Sequence, residues 1–445
     1  MRTRRHSLQD ACAPALGRAF AEKPKHILSF ICIQATLEKL RSILFRHLPQ
    51  VKPRGAFYLF SQNRVNESIY SWKKELPTVD PYYAVKCNPS QRLLKHLHDA
   101  GVGFDCASER ELNEVSTDKT ASNIVYANPC KSFHSIHVAR KMGAPLTVVD
   151  SLEEAAKLEN YSGGALIRIL VDDTGSKMPF STKFGASHHE AMDIAKFAKS
   201  IGLNIRGLSF HVGSGTSNTN AHFSAIQKAH SIITRLPSIG HHNADIIDIG
   251  GGYVTDQLRF WDTARSIRAA MRGVNEDRLY SAPPIRWIAE PGRFFAERAF
   301  DFFVQVIGKK PAEYGWKYTI DDSLYGQFSN IIYDHARPTW VRVSTRDSKA
   351  RNWSEGVIFG RTCDSIDVIA RAQRMEELEV GDWLWFPHMG AYTHASASEF
   401  NGFPKPEIFL AEESYSIRKR DIEHLVPHGV SYMAPLDVGS FWVKN

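Results

Sequence analysis

The chain lacks any paired-cysteine spacing. Its six cysteines, Cys12, Cys32, Cys87, Cys106, Cys130 and Cys363, stand apart, and three of them lie in or beside apolar runs. This excludes a zinc module or a disulfide framework and leaves the reduced thiols of an intracellular protein, expected in the cytoplasm. No apolar run reaches the roughly 18 residues of a membrane span, so no membrane partner is expected. Nor is there a Lys/Arg block interleaved with aromatics, which removes nucleic acid from the expected partners. The net charge of +7 sits largely in MRTRRHS at the amino end. It implies no more than a mild attraction for anions such as a phosphate-bearing cofactor. Residues 1–24 are expected to form a disordered tail, with a targeting segment as the alternative.

What is present is a soluble composition, 43% apolar and 23% charged, spread over 445 residues. That length exceeds one ordinary core. From about residue 80 to 295 one pattern recurs: a short apolar run, a polar residue at its end, then an amphipathic stretch. The runs are YYAV, VGF, IVYA, LTVV, LIRIL, GLSF, IIDI and RWIA, eight in all. Buried strands alternating with helix-length segments indicate parallel βαβ units, and eight of them close a (β/α)8 barrel with its chemistry at the strand carboxyl ends.

After Arg293 the texture becomes strands without helices: FDFFVQVIGKK, WKYTID, TWVRVS, EGVIFG, DSIDVIA and GDWLWFP. The layout predicted is α/β plus all-β: a barrel over 61–298, a β domain over 299–445, and a segment 25–60 that contributes to the β domain. Within that segment HILSFICIQATLEKLRSILFRHL has helical spacing, and GAFYLFS is a strand that either joins the later sheet or leads into the barrel.

Individual residues carry weaker signals. Lys86 ends the run PYYAVKCNP; a desolvated lysine there loses pKa and becomes a nucleophile for an aldehyde, whereas a solvated strand end is the plain alternative. Gly250, Gly251 and Gly252 offer bare N–H groups to an anion, or simply make a tight turn. Glu290 and Arg293 form a barrel-mouth pair that is either structural or catalytic.

Ten segments in one order give these residues a context: PYYAVKCNPS, GFDCASERE, IVYANPCK, STKFGA, LSFHVGSG, IIDIGGGY, IAEPGRFF, YGQFSNIIYDHARP, GRTCDSID and MGAYTHASASEFNGF. Spanning residues 81 to 403, they resemble the ornithine decarboxylase group of pyridoxal phosphate (PLP) enzymes, which shares its barrel with alanine racemase. The resemblance implies that Lys86 holds PLP as a Schiff base and that Glu290 keeps the pyridine nitrogen protonated. It makes His211 the imidazole stacked on the ring, and it adds Ser214, Arg293 and Tyr392 to the glycines around the phosphate. Asp105 and Glu111 correspond to carboxylates near the cofactor amine.

In the β domain, Cys363 matches the family's proton donor to the product carbon, and Asp364 a carboxylate for the substrate's distal ammonium. In the family both come from a neighbouring subunit, which implies a homodimer with shared active sites. Lys183 and Asp367 are candidates for a bridge across that interface. Asp334, with Tyr333 beside it, matches a second carboxylate for the distal amine, and Phe400 a wall next to Tyr392. The activity implied is decarboxylation of a basic L-amino acid, foremost ornithine to putrescine.

Some positions depart from the family. Pro179 stands where relatives carry an arginine on the cofactor's phenolic oxygen, with Lys177 as a substitute, and Glu109 and His388 also differ. These departures suit an enzyme acting on a modified amino acid. A catalytically inactive regulatory homologue of the antizyme-inhibitor type and a racemase on the same barrel are further alternatives.

Overall fold

The computed structural model describes residues 53–115, 123–278, 284–343, 352–411 and 427–432. The expected tail and the helical segment before Pro53 lie outside them.

All eight expected barrel strands form. They are β2 (Val79–Ala84), β3 (Gly103–Cys106), β4 (Ile124–Tyr126), β5 (Leu146–Val149), β6 (Gly164–Arg168), β7 (Asn204–Ser209), β8 (Ile246–Asp248) and β9 (Arg286–Ala289). Every neighbouring pair is parallel, and β9 returns to β2 through Val79↔Trp287 and Asp80↔Ile288 to close the ring. The strands read as near-continuous apolar runs because both faces are covered, by helices outside and by side chains within. Tyr82, Val125, Leu146, Val148, Leu166, Ile246 and Ile288 fill the interior as one buried cluster.

The connecting helices follow from local sequence. Gln91–Asp99 buries Leu93, Leu94 and Leu97 on one face at helical spacing. His188–Ser200 begins on a capping box, with Ser187 accepting from the Glu190 N–H and the Glu190 carboxylate accepting from the Ser187 N–H.

The second unit is a nine-stranded sheet, and β10 (Phe300–Pro311) is its axis. The first half of β10 pairs antiparallel with β1 (Phe57–Phe60) and β15 (Trp383–Phe386). Past an irregularity between Val306 and Gly308 it pairs with β11 (Trp316–Ile320). β13 (Trp353–Phe359) and β14 (Val368–Glu376) extend that side, and β12 (Val341–Val343) lies on β15. Thus GAFYLFS joins the later sheet and then runs directly into the first barrel helix, Gln62–Glu75. A buried ion pair at 3.0 Å, Arg64 to Asp301, locks that helix to β10. Two strands had no counterpart in the sequence reading: β16 (Glu407–Leu410), parallel to β1, and β17 (His428–Ser431), on β14.

Candidate active site at the carboxyl ends of the barrel strands

The polar residues at the strand ends converge. Lys86 lies in the 3-10 turn Val85–Cys87 that follows β2, and its ammonium sits 2.5 Å from Asp105 on the adjacent β3. Asp105 is fully buried while the Lys86 side chain keeps 42% of its surface, so the amine is tethered from below and open above. Next to it opens a cavity of about 600 Å³ lined by Ser90, Arg92, Ser108, Arg110, Glu111 and His394. Glu111 accepts from the Ala107 N–H at 2.6 Å, and burial raises its pKa.

One electrostatic expectation is corrected here. Burial does work against the Lys86 charge, but Asp105 and Glu290 outweigh it, so the amine is held above its ordinary pKa. A neutral, nucleophilic lysine therefore requires those carboxylates to be engaged elsewhere.

Glu290 follows β9, with its N–H donating to Gly250 at 2.8 Å. Burial raises its carboxyl well above the usual range, reinforced by Asp105 and Asp248. Asp248, at the end of β8, is likewise pushed up by burial, to about 7, while its Oδ1 accepts from the Gly250 N–H at 2.9 Å. A cation set against this pair would favour ionised Glu290.

His211 follows β7. Its Nδ1 accepts from the Gly213 N–H at 2.9 Å, which leaves the proton on Nε2. Burial depresses its pKa well below normal, helped by Arg168 and Lys86, so the ring is neutral. The Phe180 ring meets it edge-on, 5.0 Å between centroids.

Two glycine loops pack against each other beside this group. A Cβ at Gly250 would lie 2.0 Å from the Phe210 carbonyl, one at Gly251 2.7 Å from His211 Nε2, and one at Gly252 2.6 Å from the Gly213 carbonyl. Only glycine permits this approach; the Gly250 N–H is taken by Asp248 Oδ1 at 2.9 Å. Ser214 is held in the facing loop, its N–H donating to the Met178 carbonyl at 3.3 Å.

Arg293 lies over the Tyr392 ring, 5.2 Å from its centroid. Tyr392 reaches this place because its segment is stitched to the Lys86 turn: its N–H donates to the Cys87 carbonyl at 2.9 Å, and Asn88 Nδ2 donates to the Gly390 carbonyl at 2.8 Å. Arg293 is also bound to Asp334 through both carboxylate oxygens. The expected phosphate ligand and the expected substrate carboxylate are therefore partners of each other.

Cys363 is exposed, and its N–H donates to Asn401 at 3.3 Å. Asp364 accepts from Tyr325 at 2.5 Å, and the Tyr325 ring stacks on Phe400 at 4.2 Å. Phe400 thus belongs to this patch. Tyr333 is exposed. Among the described residues no hydrogen bond, ion pair or ring contact joins the Cys363–Asp364–Phe400 group to Lys86, His211 or Glu290.

Asp367 is turned inward. It is buried, accepting from the Leu324 N–H at 2.8 Å, the Thr362 N–H at 3.0 Å and the Thr362 hydroxyl at 2.6 Å, so its own loops already occupy its oxygens. Lys183 is exposed with its ammonium over Phe184. Glu109 pairs with His134 at 3.3 Å and accepts from the Ser135 hydroxyl at 2.6 Å. His388 donates its N–H to Asp301, inside the Arg64 clasp.

Three participants were missed: Arg168, Asp248 and Tyr325. Arg168 ends β6 and feels Glu290, Asp150, Asp105 and Asp248, so an arginine does reach the barrel mouth even though Pro179 occupies the later position. The signal lay in LIRIL, an arginine inside an otherwise apolar strand.

These residues fit a phosphorylated pyridoxal. Loops whose glycines carry no side chain suit the close approach of a phosphate, buried carboxyls suit a ring nitrogen, and an open amine suits the aldehyde. Asp105 Oδ1 is buried without a hydrogen-bond partner in this site.

The comparisons agree. Residues 62–297 match the family model of the pyridoxal-dependent decarboxylase, pyridoxal binding domain. Ornithine decarboxylase of Schizosaccharomyces pombe is 37% identical over 385 residues, covering 84% of this chain and 87% of that protein. Antizyme inhibitor 2 of Xenopus laevis is 34% identical over 387 residues, covering 83% of each chain. Among solved structures, the Paramecium bursaria Chlorella virus arginine decarboxylase superposes with a TM-score of 0.78 at 32% identity, covering 83% of this chain and all of that one. The chain belongs to the ornithine/arginine family of pyridoxal-dependent decarboxylases.

Proposed function

We propose that this protein decarboxylates a basic L-amino acid, foremost ornithine to putrescine, in a homodimer whose two sites are shared. The observation that carries this reading is the separation of two complementary groups. Lys86, His211, Glu290 and the glycine loops form one, and an exposed Cys363–Asp364–Phe400 patch forms the other. A second copy of the chain would bring the patch over the cavity, since a lone exposed thiol and stacked aromatics suit an interface better than water.

PLP bound here supplies an electron sink for the bond to the departing carboxylate. The chain's residues do the rest. Lys86 would hold the aldehyde through its side-chain amine. Glu290 holds the ring nitrogen protonated, and the neutral His211 ring covers one face. Asp364, from the partner, and Asp334 receive the distal ammonium. An amino acid lacking that charge would forgo both contacts. Cys363 of the partner then delivers a proton to Cα.

Relatives bearing the names of ornithine and arginine decarboxylases set the panel for the test. Carbon dioxide release measured for ornithine, lysine and arginine should give the highest kcat/KM with ornithine. Release from none of them would favour the regulatory reading, which the resemblance to an antizyme inhibitor keeps in view.

A further inference from the structure

The loop from Asp173 to Ser181 is built to lie over the Ser214 loop. The buried Asp173 carboxylate gathers it by accepting from the Phe180 N–H, the Ser181 N–H and the Ser181 hydroxyl. Two backbone bonds then fasten it: Lys177 N–H to the Ser214 carbonyl at 3.1 Å, and Ser214 N–H to the Met178 carbonyl at 3.3 Å. Gly213 at φ +81 and Gly215 at φ +65 hold the facing strip in left-handed conformations. The Gly213 N–H in this strip is taken by His211 Nδ1 and the Ser214 N–H by Met178, so charge for an anion has to come from side chains.

Lys177 runs along this strip. Its Cγ and Cδ lie 3.7 and 3.5 Å from the point a Cβ would occupy on Gly215, so the stem runs alongside that glycine. Its side chain is exposed, and its ammonium has no hydrogen bond or ion pair among the described residues. Arg293, the arginine expected on the phosphate, has its charge already taken. Asp334 sits at 2.6 Å and Glu297 at 4.0 Å, which sets two carboxylates against one guanidinium. A phosphate dianion entering here would meet a net negative cluster. Lys177 lies close enough to that cluster to act on it: burial raises the Asp334 carboxyl, and Lys177, after Arg293, counters the rise.

We propose that Lys177 is a further ligand of the cofactor phosphate, a cation brought by the 173–181 loop to offset the carboxylates around Arg293. The inference rests on the cofactor assignment above. It moves Lys177 from the phenolic oxygen, where sequence reasoning put it, to the opposite end of the cofactor. A lysine suits this place because its ammonium acts on phosphate as a compact point charge without demanding a planar fit.

The experiment strips the protein of cofactor and titrates it with PLP and, separately, with pyridoxal, which lacks the phosphate. Lys177→Gln should raise the Kd for PLP about tenfold and leave pyridoxal binding unchanged, and Lys177→Arg should restore PLP binding. Equal weakening of both ligands, or no weakening of either, would overturn the proposal, as would an effect confined to substrate KM. Wild-type protein that takes up no PLP would overturn the cofactor assignment itself, which keeps the two failures apart.

Discussion

Arg293 Nη2 lies 2.6 and 2.8 Å from the two carboxylate oxygens of Asp334, so the phosphate end of the site and the proposed distal-amine end share one ion pair. Removing Asp334 should therefore act in opposite directions. In Asp334→Ala, KM for ornithine should rise about 10- to 100-fold, while PLP should bind as tightly as before or more so. Paired titrations of substrate and cofactor check this; parallel weakening of both would mean that the pair is purely structural.

Cys363 is exposed, and among the described residues no hydrogen bond joins it to Lys86. Cys363→Ala should slow diamine formation by at least about 100-fold and send part of the product out as an aminoaldehyde, detectable by product analysis. Mixing it with Lys86→Ala, each inactive alone, should restore about a quarter of wild-type activity, because random exchange leaves half the dimers mixed with one intact site each. No recovery would place both residues in the same chain's site.

Gly251 allows its neighbours to close in. In Gly251→Ala the new Cβ would meet His211 Nε2 at 2.7 Å and the Glu290 carbonyl at 2.9 Å. The variant should fold, since the contact lies at the open mouth of the barrel. Its PLP affinity should fall by more than about tenfold, read by absorbance titration.

Asp322 supplies a pH dependence. It is buried, its Oδ1 accepts from the Ser323 and Gln327 N–H groups at 2.7 Å, and burial pushes its pKa up to about 7. A raised carboxyl means that the folded state holds its proton more tightly than the unfolded chain. The stability it contributes is thus full below about pH 4 and is lost as pH rises through about 7. Asp322→Asn should flatten Tm against pH across that window, with the variant several degrees better off at pH 8 relative to pH 5 than wild type. An unchanged slope would remove Asp322 as its source.

The barrel was legible because its strands are short apolar runs at regular spacing, each closed by a polar residue. β16 and β17 were not, since EIFL and HGVS are too short and too exposed to show a period, and their pairing with β1 and β14 is set by tertiary contact. The strand-end residues Lys86, Asp105, His211 and Glu290 could be placed at one barrel mouth from order alone. Their electrostatics could not: the rise of the Lys86 pKa depends on Asp105 and Glu290 converging from separate strands. The surroundings of Phe400 and Asp367 were illegible for a related reason. Each is claimed by a loop remote in sequence, Phe400 by Tyr325 and Asp367 by Leu324 and Thr362. Arg168 was passed over because an arginine within LIRIL reads as part of the strand.

The most direct test of the account is borohydride reduction of the PLP-loaded protein followed by peptide mapping. The account predicts a single pyridoxyl label on the peptide containing Lys86, with loss of carbon dioxide release in proportion to labelling. A label on another lysine, or PLP that binds without any reducible linkage, would contradict it.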